Sequence, residues 1–269
     1  MAISGSGDTP QDPYIVTTYD ELVTAAAQSG KYVKIDNDIN ITDEYPDGDF
    51  STLSVRADVD GNNKKISNWY RTNGNSGIYF DGGASQIRNL TIANIYNTSA
   101  AQFIDFHGGN SNYHFVNCKF HGVLYRPFFQ AVDSYGSTYN FDKCSFYINS
   151  KYGGGAFVEN NWSYIGMRDC NVKVIGTASH IFGTSRTTFI DSCYFETTMP
   201  PGVYDKFTNC VLDITTDTSF TANGSSGNAL NIINSDHAPN ATAGTGFALV
   251  DDEHWLDVAY LNRIGFNAG

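Results

Sequence analysis

Four acids recur at matching places in the chain. Asp81, Asp105, Asp133 and Glu159 each follow an apolar residue, and they lie 9, 13, 11 and 11 residues before Leu90, Cys118, Cys144 and Cys170. Gly183 interrupts the series before Cys193. Stacked about 5 Å apart, neighbouring carboxylates would repel by roughly 3 kcal/mol at an effective dielectric near 20. Two accounts of the column stay open. A cation would cancel the repulsion, and calcium is the expected ion because it takes clustered carboxylates. Alternatively, each acid precedes a turn, as in Asp81-Gly82-Gly83, and bonds its own backbone. Carboxylates roughly 5–9 Å apart also serve glycoside hydrolysis, but any ladder of acids offers that separation. His107, His114, His121 and His180 show no metal-ligand spacing, and Arg126, Arg168 and Arg186 are the basic groups that could act beside such a column.

These residues need a scaffold, and the chain repeats one. Six copies of a short phrase run from Ile87 to Leu212: apolar, two residues, Leu or Cys, one residue, apolar. The anchors are Leu90, Cys118, Cys144, Cys170, Cys193 and Cys210, spaced 28, 26, 26, 23 and 17 residues apart, and they include all five cysteines. A period in this range means stacked repeats. The last three residues of each phrase alternate like a strand with one buried face. The first apolar residue and the anchor are three apart, so both face inward only if the chain bends sharply between them. The residues in that gap are mostly Asn, Asp, Lys or Ser. Phe, Val, Ile and Thr in the phrases favour strands over helices. Stacked coils then place equivalent residues about 4.8 Å apart, in columns where each buried side chain contributes roughly 1.5–3 kcal/mol.

The coil length, the Asn-bearing corners, the Cys/Phe/Ile ladders and the phrase Asp60-Gly61-Asn62-Asn63-Lys64-Lys65-Ile66 resemble right-handed parallel β-helices of the pectate-lyase-like and phage-tailspike kind. The resemblance implies an all-β, single-stranded right-handed parallel β-helix of about eight to nine coils. It also implies a capping helix at the N-terminus and a tailed-phage virion protein. Fold does not dictate activity. Polygalacturonase-like hydrolases of this fold carry clustered Asp-Asp with Gly-His and Arg-x-Lys phrases, whereas Asp251-Asp252 here lies in the tail. The expectation is a non-enzymatic structural protein of the particle, a head decoration or a spike- or fibre-like appendage in contact with host glycan. The alternative is a polysaccharide lyase or glycoside hydrolase using the acid ladder.

The chain divides into an arm and capping helix (1–31), the coils (32–237), and a linker with a C-terminal capping or docking segment (238–269). Thr18 and Glu21 have the spacing of a helix-capping box. In the tail, Trp255, Val258, Ala259, Leu261 and Ile264 recur at helical spacing, and 251–266 is the expected contact with other virion proteins. A homo-oligomer, by analogy a trimer, is a further expectation. With 269 residues, 14% aromatics and a net charge of −12, nucleic acid is an unfavourable partner. No apolar run reaches the roughly 20 residues of a membrane span. The start of the chain lacks a basic, apolar signal pattern, so synthesis in the host cytoplasm is expected, with the cysteines as free buried thiols. The aromatics Trp69, Tyr70, Tyr96, Tyr113, Tyr125, Tyr135, Tyr139, Tyr147, Tyr152, Trp162 and Tyr164 are expected on the surface, suited to sugar rings or to a protein interface.

Overall fold

A computed structural model describes residues 3–48, 50–71, 74–81, 85–98, 101–107, 111–131, 137–158, 161–182, 185–200, 205–222, 230–255, 257–264 and 266. Its strand ladders are all parallel, and each strand pairs with the equivalent strand one coil away. The protein is a parallel β-solenoid. One inward column runs Tyr14, Val33, Val59, Ile87, Phe115, Phe141, Met167, Ile190, Phe207. A second runs Ile39, Ile66, Ile92, Phe120, Phe146, Val172, Phe195, Leu212, Ile233, and its ladder ends on Leu249, which is exposed. The rungs of this second column slightly exceed the eight to nine coils expected. The difference comes partly from residues 238–246, read as linker, where strand Ala241–Ala243 forms, and from Phe247–Val250 just beyond them; both extend the ladders.

The bend inside each phrase has a single cause. Asn89, Asn117, Lys143, Asp169, Ser192 and Asn209, each just before an anchor, have φ of 54, 53, 55, 52, 53 and 52°. That left-handed conformation turns the chain within one residue, so the apolar residue before the bend and the anchor after it both point inward. Asn tolerates it better than most residues. Corner amides also link coils: Asn117 Nδ2 donates to Asn89 Oδ1 at 2.9 Å, and Asn89 Nδ2 to Asp60 Oδ1 at 3.1 Å.

Leu90, Cys118, Cys144, Cys170, Cys193 and Cys210 are all buried, and the five thiols are free. The thiols do more than fill space. Cys118, Cys144, Cys170 and Cys210 donate to the carbonyls of Ile87, Phe115, Phe141 and Ile190 at 3.1–3.4 Å. Hydrogen bonds with the neighbouring thiols, and then burial, push the Cys144 and Cys193 thiols well up from their ordinary pKa.

The second wall is less continuous. Leu53–Val55, Ile78–Asp81, Ile104–His107 and Phe129–Ala131 form one sheet, while, among the described residues, Gly155–Val158 pairs with His180–Phe182 and Phe220–Ala222 with Ala241–Ala243 in separate two-stranded ladders.

Both ends are covered. Helix Tyr19–Ala26 buries Tyr19, Leu22, Ala25 and Ala26 against the first coils. Thr18 accepts from the Glu21 N–H at 3.3 Å, as expected. The Glu21 carboxylate reaches one residue further back than in a simple capping box, taking Thr17 N–H at 2.8 Å. Glu44, from the next coil, accepts from Tyr19 N–H at 2.7 Å and Asp20 N–H at 3.2 Å, so the helix's orphan donors are met across coils. At the other end, Leu261 and Phe266 pack on Ile232 and Val250. Helix Val258–Arg263 is shorter than the tail's periodicity predicts, and it presents Val258 to solvent rather than inward.

Candidate functional site on the lateral walls

Among the described residues, Asp81 and Asp105 do not stack as an acid column would place them. On the second wall Phe80 pairs with Phe106, so Asp81 faces His107 and Asp105 faces Tyr79. The two acids are therefore two residues out of register. The buried Phe pair sets this alignment, because a slip would turn the apolar face outward. Asp81 pairs with Arg56. Asp105 accepts from Ser76 Oγ at 3.2 Å and lies 3.3 Å from His107 Nε2. Asp133 and Glu159 lie outside the described residues. Among the described residues, Asp81 and Asp105 are not stacked as a calcium ladder requires, and no three His, Cys, Asp or Glu residues are placed to share an ion. Arg126 sits over the Tyr152 ring at 5.7 Å, Arg168 pairs with Asp191 at 3.8 Å, and the side chain of Arg186 is outside the description.

The surface aromatics sort into two groups. Trp69, Tyr113 and Tyr139 are fully buried, against expectation. Tyr113 and Tyr139 occupy inward positions, stacked with centroids 5.7 Å apart, and Tyr113 satisfies its hydroxyl on the His107 carbonyl at 2.6 Å. Tyr135 and the side chain of Trp162 lie outside the described residues. Tyr70, Tyr96, Tyr125, Tyr147 and Tyr164 are exposed, 36–45%. Phe189, 53% exposed, was missed. Its place immediately before the inward Ile190 marks it as outward by strand alternation.

The exposed rings lie on two walls separated by the left-handed corner. Beyond the corner, Tyr70 and Tyr96 are neighbours in register, with centroids 6.0 Å apart, and Tyr125 meets Tyr96 edge-on at 5.9 Å. A hydrogen bond with Tyr125 raises the Tyr96 pKa. Tyr70 and Tyr96 open into a groove of about 310 Å³ lined also by Asn94, His121, Tyr147 and Asn149. His121 packs edge-on to Tyr147 at 5.0 Å. Asn149 Oδ1 is buried and has no hydrogen-bond donor among the described residues. Gly122, at the back of this groove, lets the neighbouring coil approach closely: a Cβ there would stand 2.3 Å from the Ile95 carbonyl oxygen. The register shift opposite Gly122, at the left-handed Asn94, pushes Ile95 into that space. Before the corner, a groove of about 350 Å³ has Gly166 in its floor and Tyr164 and Phe189 on its sides.

The same lateral face continues to the far end of the solenoid. Tyr147, Lys173, Glu196 and Asp213 succeed one another in register, and Lys173 pairs with Glu196. Burial first, then the charges of Asp213 and Glu196, push the Tyr194 phenol up to about 12. His237 donates through Nδ1 to Asp213 and lies 3.9 Å from Asp252 through Nε2. Its hydrogen bond with Asp213 raises its pKa. No helix among the described residues is long and apolar enough to cross a membrane.

No family model and no curated protein matches this chain. A solved structure does: a putative immunoglobulin A1 protease from Bacteroides ovatus, 13% identical, with a TM-score of 0.46, covering 94% of this chain and 89% of that one. The expectation of a non-enzyme is withdrawn on this finding, because the matching structure is named an enzyme. The name belongs to that protein, and a likeness of this depth places no activity on the present chain.

Proposed function

We propose that this protein is a rigid β-solenoid shaft that binds carbohydrate along its tyrosine groove, as a spike- or fibre-like or head-decorating part of a tailed-phage particle. The observation that carries the binding half is the run Tyr70, Tyr96, Tyr125 beside His121, Tyr147, Asn94 and Asn149. Flat aromatic faces cover the apolar faces of sugar rings, and tyrosines do so at low entropic cost. Asn94 and Asn149 supply amide donors and acceptors, and the unsatisfied Asn149 Oδ1 calls for a hydroxyl donor, since a buried acceptor without a partner costs about 1–3 kcal/mol. Parallel coils hold all of these groups except Tyr125 on strands rather than loops, which favours a preformed site. The virion setting is supported by the likeness of the coil phrase to tailspikes. Other copies of the chain and other virion proteins are the neighbours it implies.

The test is binding to an array of neutral bacterial surface oligosaccharides. Tyr96→Ala is expected to weaken the best hit about tenfold, in line with loss of one stacking aromatic, with an unchanged circular dichroism spectrum. No binding by the intact protein, or equal binding by the variant, removes the carbohydrate reading. Labelling of purified particles by an antibody to this chain tests the setting separately.

A further inference from the structure

On the wall before the corner, the geometry points to a second binding site, over Gly166, that takes a sugar carrying a protonated amine. The floor is bare backbone. A Cβ on Gly166 would lie 2.5 Å from Asn140 Oδ1, so the glycine leaves that carbonyl oxygen facing the groove. The amide cannot easily turn over. Its Nδ2 is held by Asn112 Oδ1 at 3.0 Å and by His114 Nε2 at 2.9 Å, which fixes Oδ1 as the group offered to a ligand.

The charges beside this oxygen do not balance. Asp142, Arg168 and Asp191 are neighbours in register on three successive coils, and the one guanidinium is drawn to Asp191 at 3.8 Å. Among the described side chains that line the groove, one cation serves two carboxylates, so they carry a net negative charge and the oriented groups are acceptors. Tyr164 and Phe189 add two exposed aromatic side chains, and the negative quadrupole of an aromatic face also favours a cation. A donor-rich cation answers both features. A ring as its carrier suits a broad floor built from three adjacent strands, where a linear side chain would leave the two aromatics uncovered. The ammonium group then donates to Asp142 and Asn140 Oδ1, while the ring lies against Phe189 or Tyr164. The site is separate from the tyrosine groove, and it rests on the carbohydrate reading only in the choice of a sugar as the amine's carrier.

The experiment is a titration of the ¹⁵N-labelled protein with glucosamine, glucose and N-acetylglucosamine at neutral pH, followed by amide chemical shifts. Glucosamine is expected to shift the amides of Asn140, Gly166 and Phe189 at concentrations about tenfold lower than either uncharged sugar, the scale of one desolvated cation–π contact. Asp142→Asn, an isosteric change at a partly exposed position, should erase that preference, while Tyr96→Ala should leave it intact. Equal affinity for all three sugars, shifts confined to residues outside 138–191, or no shift with glucosamine each overturn the inference. Lysine amide is the control for carrier: if it matches glucosamine, the ring has no part in recognition and the sugar assignment falls. A preference kept by Tyr96→Ala in a protein that fails the oligosaccharide array would uphold this site while the tyrosine-groove reading fails.

Discussion

The residue that explains most about the core ladder is one the repeat did not announce. The thiol column ends at Cys210, and Asn231 takes its place in the next coil. Asn231 is fully buried. Its Nδ2 donates to the Phe207 carbonyl at 3.0 Å and the Gly246 carbonyl at 2.9 Å, and its Oδ1 accepts from the Cys210 N–H at 2.8 Å. The donation to Phe207 repeats the bond that Cys118, Cys144, Cys170 and Cys210 make to the carbonyl three residues before the preceding anchor. The amide is therefore a stronger version of the same contact, placed where the coils end and regular ladder bonds run out. Replacing Asn231 by Ala strips the acceptor from a buried N–H, at about 1–3 kcal/mol for the unsatisfied group. It also leaves a small cavity. The expected loss is about 2–4 kcal/mol in urea unfolding at an unchanged m-value. A loss below about 0.5 kcal/mol, the size of an ordinary surface change, would show the position to be a filler only.

At the scale of the element, the corner decides what could be read from sequence. One left-handed residue between two inward positions makes an i, i+3, i+5 pattern that neither a helix nor a simple strand would sustain, and it made the columns from Ile87 to Leu212 legible. The second wall has no such mark. Phe80 and Phe106 are 26 residues apart and pair, while Asp81 and Asp105 are 24 apart and do not. Loops of uneven length between short strands hide the register, and only the buried face sets it. Aromatic type was equally silent about direction, as the buried Trp69, Tyr113 and Tyr139 beside the exposed Tyr70, Tyr96 and Phe189 make plain. The corner also predicts a stabilising change. Lys143 holds φ 55° between corners that are Asn on one side and Asp on the other, and a side chain without a local hydrogen bond is disfavoured there by roughly 1–2 kcal/mol. Lys143→Asn should raise stability by about 0.5–1 kcal/mol, seen as a higher midpoint of thermal unfolding. Lys143→Val should lower it. The reverse order would mean that the corner is not held by backbone preference.

Across the whole molecule, the last coil is where stacking must stop, and its closure joins an apolar cap to a polar clasp. Leu261 and Phe266 cover Ile232 and Val250. Beside them, His237 lies between Asp213 of the solenoid and Asp252 at the start of the tail. Asn234 Nδ2 also holds Asp252 at 2.8 Å, and the Asp252 N–H donates to Asp236 at 2.9 Å. The groups facing His237 are thus acids, with Glu196 next to Asp213 in register and already committed to Lys173. The pKa of His237 is raised above its ordinary 6.5 by Asp213 first, against a smaller effect of burial, with Asp252 and Asp236 adding to the rise. A raised value in the folded state means that the imidazolium stabilises the clasp fully below about pH 6.5. That contribution fades as pH climbs through the higher folded value. Acids such as Asp251, whose pKa is lowered by His254, lose their share only at much lower pH, so they do not mask the change. Amide hydrogen exchange in 251–266, corrected for intrinsic rates, should therefore be slower at about pH 5.5 than at about pH 8.5, while exchange in the coils from Ile87 to Phe182 stays level. His237→Gln keeps a hydrogen-bonding side chain but cannot take the charge, and it should flatten the difference. A tail whose protection ignores pH in the unaltered protein, or still follows it in His237→Gln, would leave the end of the solenoid held by Leu261 and Phe266 alone.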